Sequence, residues 1–389
     1  MSPESLPALQ ITLGNMSLAE GVQVVSARIS RAFSTPAMAE IMIEGPIDTP
    51  ALGTPVRIEG LGPVFAGKIA ALERARRGDA RPALTLRAYD ALQDLRLTGR
   101  AEAKSDVTPG AIAEEIAQRL GVGFAATYGG PKLAHVVRTA RSDFDFLLSE
   151  TRRVGLWFYL SEGKLQLTGF EGRGETRRVV LDEETLDARI EANGAQSTGA
   201  ITFAGVAPAT LEMFPGFSIG LDEARGFRAN SMTPDYDLPM FNLMAGSSDE
   251  ALSIAASEIA HRDAARVVLR AMFDGPLAPT LAQPLEILGA GVDLPGPLTV
   301  ARVERRLAAG AGHVAGVSTA PPPLRDEAAA TLSFWGVVED NADPINAGRV
   351  RCKLPHFGDV ETSWLQVTRS MAGPGRGFAS VPAKGDHVL

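Results

Sequence analysis

What most constrains this chain is a period-two alternation of apolar and polar residues, cut every few positions by Gly, Pro or Asx and densest near its C-terminal end. The stretches Phe334-Trp335-Gly336-Val337-Val338, Gly348-Arg349-Val350-Arg351-Cys352-Lys353-Leu354-Pro355, Trp364-Leu365-Gln366-Val367 and Pro382-Ala383-Lys384-Gly385-Asp386-His387-Val388-Leu389 all carry it. Such alternation segregates one face into a core only when the backbone is a strand. The pattern therefore predicts short successive strands of a small barrel, with the last strand still wanting a partner at Leu389. A strand without a partner presents a row of unpaired N–H and C=O groups, so the expectation is a chain that is clipped or completed by something else. The abundance of Gly (40) and Pro (26), with aromatics at only 6%, extends the reading to many short strands and tight turns.

The same signature fills residues 8 to about 95. Leu9–Leu13, Ala39–Gly45, Gly53–Gly60, Val64–Ile69 and Ala83–Asp90 alternate or end in turns, as in a barrel or sandwich. The period then changes. Thr108 suits an N-cap and Pro109 a first helical position, while Ile112, Ile116 and Leu120 line one face up to Gly121. A second helix is expected from Ser142, with Asp145 three residues on in a capping-box arrangement and Phe144, Leu147, Leu148 and Val154 on its apolar side. Leu156–Leu160, a turn at Ser161–Lys164 and Leu165–Thr168 predict a hairpin. From about 190 strands return, interrupted by a helix capped at Ser248 and running towards His261, and followed by strands at Arg266–Phe273, Pro284–Leu288 and Leu298–Glu304. Ala320–Glu327, with three consecutive prolines, predicts an extended spacer.

The expected organisation is mainly β with a small α/β insertion. A first barrel spans 1–95, an inserted α/β domain 96–190, a second barrel 191–325, and a linker with a C-terminal small barrel 326–389.

Several function classes are disfavoured. A net charge of -8 repels phosphate backbones, and the basic clusters Arg74/Arg76/Arg77 and Arg302/Arg305/Arg306 have Glu73 and Glu304 among them, so no nucleic-acid partner is expected. A single cysteine, Cys352, allows no intrachain disulfide and has no C-x-x-C partner. The N-terminus lacks the basic and apolar regions of a Sec signal peptide, and no run reaches transmembrane length. The five histidines show no metal-ligand spacing, so no metal or cofactor is expected. Gly216-Phe217-Ser218-Ile219-Gly220 matches the nucleophile-elbow pattern, but that pattern needs a strand before Ser218 and a helix after it, and Pro215 and Gly226 argue against both. Asp340–Asn346 is acidic yet carries Ala342 and Ile345 where a calcium loop wants an oxygen ligand and a glycine, so an Asx turn is expected.

Taken together, Gly336–Asp340, Ala347–Pro355, Trp364–Val367, Gly373, Gly377 and Pro382–Leu389 resemble the OB-fold of the VgrG and contractile-phage spike family. Upstream, Arg87–Leu92 resembles the end of that family's first hub barrel, and Ser142–Leu148 with Gly155–Tyr159 its α/β insertion. The resemblance implies two tube-like hub barrels plus an OB-fold. It also implies a homotrimer that meets a hexameric inner tube protein, other baseplate proteins, and a PAAR-like tip protein with effectors. It implies a phage tail-like particle assembled from cytoplasmic protein, and a structural rather than catalytic role. The residues it marks are Trp364 as an anchor of the OB core, Gly348 as a turn, Arg349 and Gly385 within the OB motif, and Trp157 with Phe158 as anchors of the insertion. The family's β-helical needle and lysozyme-like insertion are not in this sequence, so muralytic activity does not carry over. The alternatives are a multi-domain hydrolase using Ser218 and an OB-fold that holds a ligand.

Overall fold

A computed structural model of the chain describes residues 9–17, 22–45, 48–75, 83–138, 142–194, 198–207, 213–220, 237–291, 294, 296–308, 312–324, 333–368, 372–373, 376–377 and 380–389. The N-terminal segment is all strand: β1 (Gln10–Leu13), β2 (Met16–Ser17), β3 (Gln23–Ala32), β4 (Thr35–Glu44), β5 (Pro55–Glu59), β6 (Phe65–Ala75) and β7 (Ala83–Tyr89). Alternation decides which side is buried. On β4, Ala37, Ala39, Ile41 and Ile43 are buried, while Met42 between them is exposed. These residues join Ile29, Ile58, Phe65, Ile69 and Leu86 in one apolar core, each large side chain contributing about 1.5–3 kcal/mol of burial.

A 3-10 turn over Ala91–Arg96 leads into the α/β layer. There β8 (Glu102–Val107) pairs with β10 (Leu133–Arg138), and β9 (Gly123–Ala126), β11 (Trp157–Ser161) and β12 (Lys164–Thr168) form a second sheet. Helix α1 (Pro109–Leu120) begins where expected, its Thr108 hydroxyl accepting the Ala111 N–H. Helix α2 (Asp143–Arg152) is capped by Ser142, which accepts the Asp145 N–H.

β13 (Arg177–Val180), a single turn α3 (Leu181–Glu184) and β14 (Thr185–Ala192) follow. β15 (Ala200–Val206), β16 (Met213–Gly220) and β17 (Asp237–Met244) make a small sheet under α4 (Ser248–Arg266). The cap of α4 is Ser247, not Ser248: its hydroxyl accepts the Glu250 N–H, and the Glu250 carboxylate accepts the Gly246 N–H in return. The helix also runs past His261 to Arg266, because Ile254, Ala255 and Ile259 stay buried along it. Ile201, Phe203, Ile254 and Ile259 share one core with Ile112, Ile116, Phe144, Leu147 and Phe158. The α/β core thus draws on residues well beyond 190.

β18 (Val267–Asp274), β19 (Pro284–Leu288), β20 (Leu298–Thr299), β21 (Arg302–Ala308) and β22 (Gly312–Ser318) complete the large β region. The segments expected as two barrels share one sheet of eleven strands, in the order β14-β18-β22-β21-β3-β4-β7-β6-β5-β1-β2. The link is a seven-residue antiparallel ladder between β21 and β3, from Arg302 opposite Ala32 to Ala308 opposite Ser26. The order also contains one topology twice. In β3-β4-β7-β6 the first, second, fourth and third strands in sequence stand side by side, and β14-β18-β22-β21 repeats that arrangement. The third strand of the later unit is the one that pairs with the first strand of the earlier unit.

The C-terminal module holds β23 (Gly336–Asp340), β24 (Arg351–Leu354), β25 (Val360–Glu361), the short pair β26 (Ala372–Gly373) and β27 (Arg376–Gly377), and β28 (His387–Val388). Its main sheet has the order β25-β24-β23-β28.

Candidate functional site: the sheet junction and the OB module

At the β21–β3 junction the non-core face is charged. Arg28 pairs with Glu304 at 3.1 Å, and Arg306 holds the same carboxylate. On the core side, Arg305 is buried and its guanidinium donates to the carbonyls of Gly275, Ala278 and Pro279. The stem of Arg305 fills the space a side chain on Gly62 would need, so one residue packs against both halves of the sheet. Nearby, Arg31 donates to the Pro63 and Val64 carbonyls, and burial lowers its pKa to about 10. Asp90 caps the Ala91–Arg96 turn by accepting the Leu92 N–H. Burial pushes its carboxyl up to about 7, against the opposing pull of N–H groups from Ala37 and Leu92 and the Arg31 charge. His313, buried and packed against Gly275, has its pKa lowered by burial and then by the Arg305 charge.

Trp157 and Phe158 are adjacent on β11, so their side chains leave opposite faces. Both are buried, but in different places. Phe158 packs edge-on to Phe144 in the α/β core. Trp157 faces the large sheet, in a cluster with Phe33, Tyr159, Phe170, Ala282 and Ala301. The Phe158 carbonyl accepts the Ser34 N–H at 2.7 Å, tying the insertion to the β3–β4 turn.

In the OB module, Val338, Val350 and Cys352 are buried, with Val367 and Val388 packed against them. Arg349 is also buried, at 1% exposure, and its guanidinium meets the buried Asp343 carboxylate at 2.5 Å. Asp343 also accepts N–H groups from Ile345, Ala347 and Arg349. The Asx turn expected here is therefore present, closed by an arginine from within the same loop. Arg349 first, and then those N–H groups, hold the Asp343 carboxyl well below the usual carboxylate range. Trp364 is half-buried and lies outside the apolar cluster. The guanidiniums of Arg349 and Arg351 each lie 5.8 Å from its ring centre. Gly348 has φ +68° immediately before Arg349, a turn conformation that a β-carbon would strain. Gly385 also has positive φ, and its N–H donates to the Val338 carbonyl.

Ser218 is exposed within β16, opposite Thr202 of β15, and the strand continues to Gly220 with no turn into a helix at the serine. Among the described residues no cluster of His, Cys, Asp and Glu could hold a metal, and no helix is long and apolar enough to cross a membrane. Residues 76–77, part of one basic cluster, and 325–332, the end of the proline spacer, lie outside the described residues. Pro322 is described, and its carbonyl contacts His261 of α4 at 2.9 Å. The Asp343–Arg349 pair and the Arg28–Glu304 pair escaped the sequence reading. The first had a local signal in the D-x(5)-R spacing, and the second had none.

Residues 334–389 match the type VI secretion system/phage-baseplate injector OB domain family. No curated protein matches the chain. Among solved structures, the 43 kDa tail protein of prophage MuSo2 from Shewanella oneidensis aligns with a TM-score of 0.60 at 12% identity, covering 80% of this chain and 97% of that one. The E. coli protein c3393, a type VI secretion component similar in structure to the T4 bacteriophage tail proteins gp27 and gp5, aligns at 0.61 and 11% identity, covering 91% and 93%. The fold is the one these phage-tail and type VI secretion proteins share. A Francisella PdpA–VgrG complex also aligns, with a TM-score of 0.55 at 6% identity over 98% of this chain and 76% of that one. The parts of this chain follow in order: a duplicated β region, an α/β insertion between its halves, and an OB module after it.

Proposed function

We propose that this protein is the trimeric hub and spike base of a contractile injection apparatus. It joins a hexameric inner tube to a membrane-piercing tip and has no catalytic step of its own. The observation that carries the reading is the repeated four-strand topology within one sheet. A chain with two equivalent units presents six of them when three chains assemble, which matches a sixfold tube on one side. The single OB module per chain presents three, which matches a threefold spike on the other. The partners that follow are further copies of the chain, the inner tube protein, baseplate proteins, and a PAAR-like tip with its effectors. Assembly into a tail-like particle is the corresponding location. Support for a mechanical role comes from the OB domain match and from the fold shared with tail proteins.

Light scattering on the purified protein tests this. A mass three times the 41.0 kDa of the chain, and binding of that species to one end of tubes made from the hexameric tube protein, are the expected results. A protein that stays monomeric and ignores tube ends overturns the reading.

A further inference from the structure

We infer that β6 of one copy pairs antiparallel with β14 of a second copy, and that Glu73 on β6 forms an ion pair with Arg189 on β14. This rests on the trimeric reading above and names the surface that makes the trimer.

The junction already inside the chain, between β21 and β3, supplies the template. Walking across hydrogen-bonded partners from Arg28 leads to Glu40, then Arg87, then Ala71. Walking across the second unit from Arg189 leads to Arg270, then Ser318, then Arg302. The two walks align Arg28 with Arg189 and Ala71 with Arg302. Two residues further on, Glu73 aligns with Glu304. The sequence gives the same alignment independently. Ala27-Arg28-Ile29 matches Ala188-Arg189-Ile190, and Leu72-Glu73-Arg74 matches Val303-Glu304-Arg305. Arg28 and Glu304 are ion-paired at 3.1 Å across the β21–β3 ladder. Their counterparts, Arg189 and Glu73, stand on strands at the open ends of the two repeated units.

Both edges are available. β14 pairs only with β18 among the described residues. Among the described residues, β6 pairs with β5 over Phe65–Lys68, and beyond Ile69 it pairs on one side alone, with β7. An eight-residue edge strand free of Pro and Lys is a template for another strand. Charge points to the same occupant. Arg189 stands directly opposite Arg270 and makes no ion pair among the described residues, an unfavourable juxtaposition that an added carboxylate would relieve. Glu73 is exposed, and its one ion pair among the described residues is a 3.7 Å contact to Arg87. Glu191, which would face Glu73 across the new ladder, is already held by Arg270 at 3.1 Å. A second copy supplies both edges at once. Because the contact is head-to-tail, it closes into a ring when the rotation allows.

Directly opposed positions in the new ladder are Ala75 and Arg189, the counterparts of Arg306 and Arg28. The double variant A75C/R189C should therefore form disulfides between chains on mild oxidation and give a covalent trimer on non-reducing gels. The variant R28C/R306C, at the internal junction, should form its disulfide within one chain and serves as the geometric control. Each single variant controls for the buried Cys352. Separately, E73R and R189E should each weaken self-association by about threefold to tenfold, and E73R/R189E together should recover most of the loss. A protein that is trimeric by light scattering, with the internal control oxidised and A75C/R189C not cross-linked between chains, overturns this junction and leaves the hub reading standing. A protein that is monomeric throughout overturns both.

Discussion

At the scale of single residues, two neighbours on β11 divide two tasks. Phe158 closes the α/β core and Trp157 closes the seam between the insertion and the large sheet. Truncating either to alanine should cost about 3–5 kcal/mol. The losses should differ in place: hydrogen exchange should speed up in α1 and α2 for F158A, and in the β3–β4 turn and the Ala282 region for W157A. If both variants loosen the same segments, the two-core description is wrong. In the OB module, Asp343 is held ionised by Arg349, so its folded pKa lies below its unfolded one, near 3.9. The stability it contributes is complete above about pH 4 and is lost as pH falls through the folded value. D343N should lower the Tm of the protein at pH 7, because Arg349 would be left buried without its counter-charge. The gap to the parent should close in strong acid. A constant gap across pH would mean that the pair contributes through shape alone.

At the scale of elements, what could be read from sequence was what is locally determined. α1 and α2 start at Thr108 and Ser142 because each hydroxyl meets an N–H three residues on, and that signal is wholly contained in adjacent residues. The same rule fails by one position at α4, where two serines stand together and only the reciprocal bond from Glu250 selects Ser247. S247A should therefore cost about 1 kcal/mol in denaturant titration, whereas S248A, at an exposed first-turn position, should change little. Equal effects would contradict the assignment. Of the residues marked in the sequence, Gly348 and Arg349 belong to one loop, closed around the buried Asp343–Arg349 pair. Trp364 lies against two arginines rather than in the apolar cluster, because the fold brings both Arg349 and Arg351 within reach of its ring. No local spacing encodes that encounter.

At the scale of the whole molecule, the strands were legible and their union was not. The β21–β3 ladder joins residues from opposite ends of the chain, and alternation fixes which face a strand buries without saying which strand lies beside it. The duplicated Ala-Arg-Ile and Glu-Arg patches are too short to register as a repeat until the ladders align them. The seam has a pH consequence. Asp90 sits where the large sheet hands over to the insertion, with a folded pKa of about 7, above the unfolded value near 3.9. The folded state thus binds more protons between those values, and stability should fall as pH rises from about 4 to 7. His313, whose folded pKa is depressed, opposes this by losing stability as pH falls below about 6.5. D90N keeps an acceptor for the Leu92 N–H and should remove the first slope, leaving the histidine's. Urea midpoints measured from pH 5 to 8 would show it, and an unchanged profile would rule Asp90 out as the cause.

The internal β21–β3 ladder also has a consequence for association entropy. Two units that would otherwise have to find each other in solution are tethered by their own backbone, so their contact forms at the high effective concentration of an intramolecular event. A ring of three such chains immobilises three bodies where six separate units would immobilise six, and each body fixed costs several kcal/mol of translational and rotational freedom. Half of the seams in such a ring would then be insensitive to dilution. The remaining seams would set both the concentration at which the ring forms and the places where it parts under load.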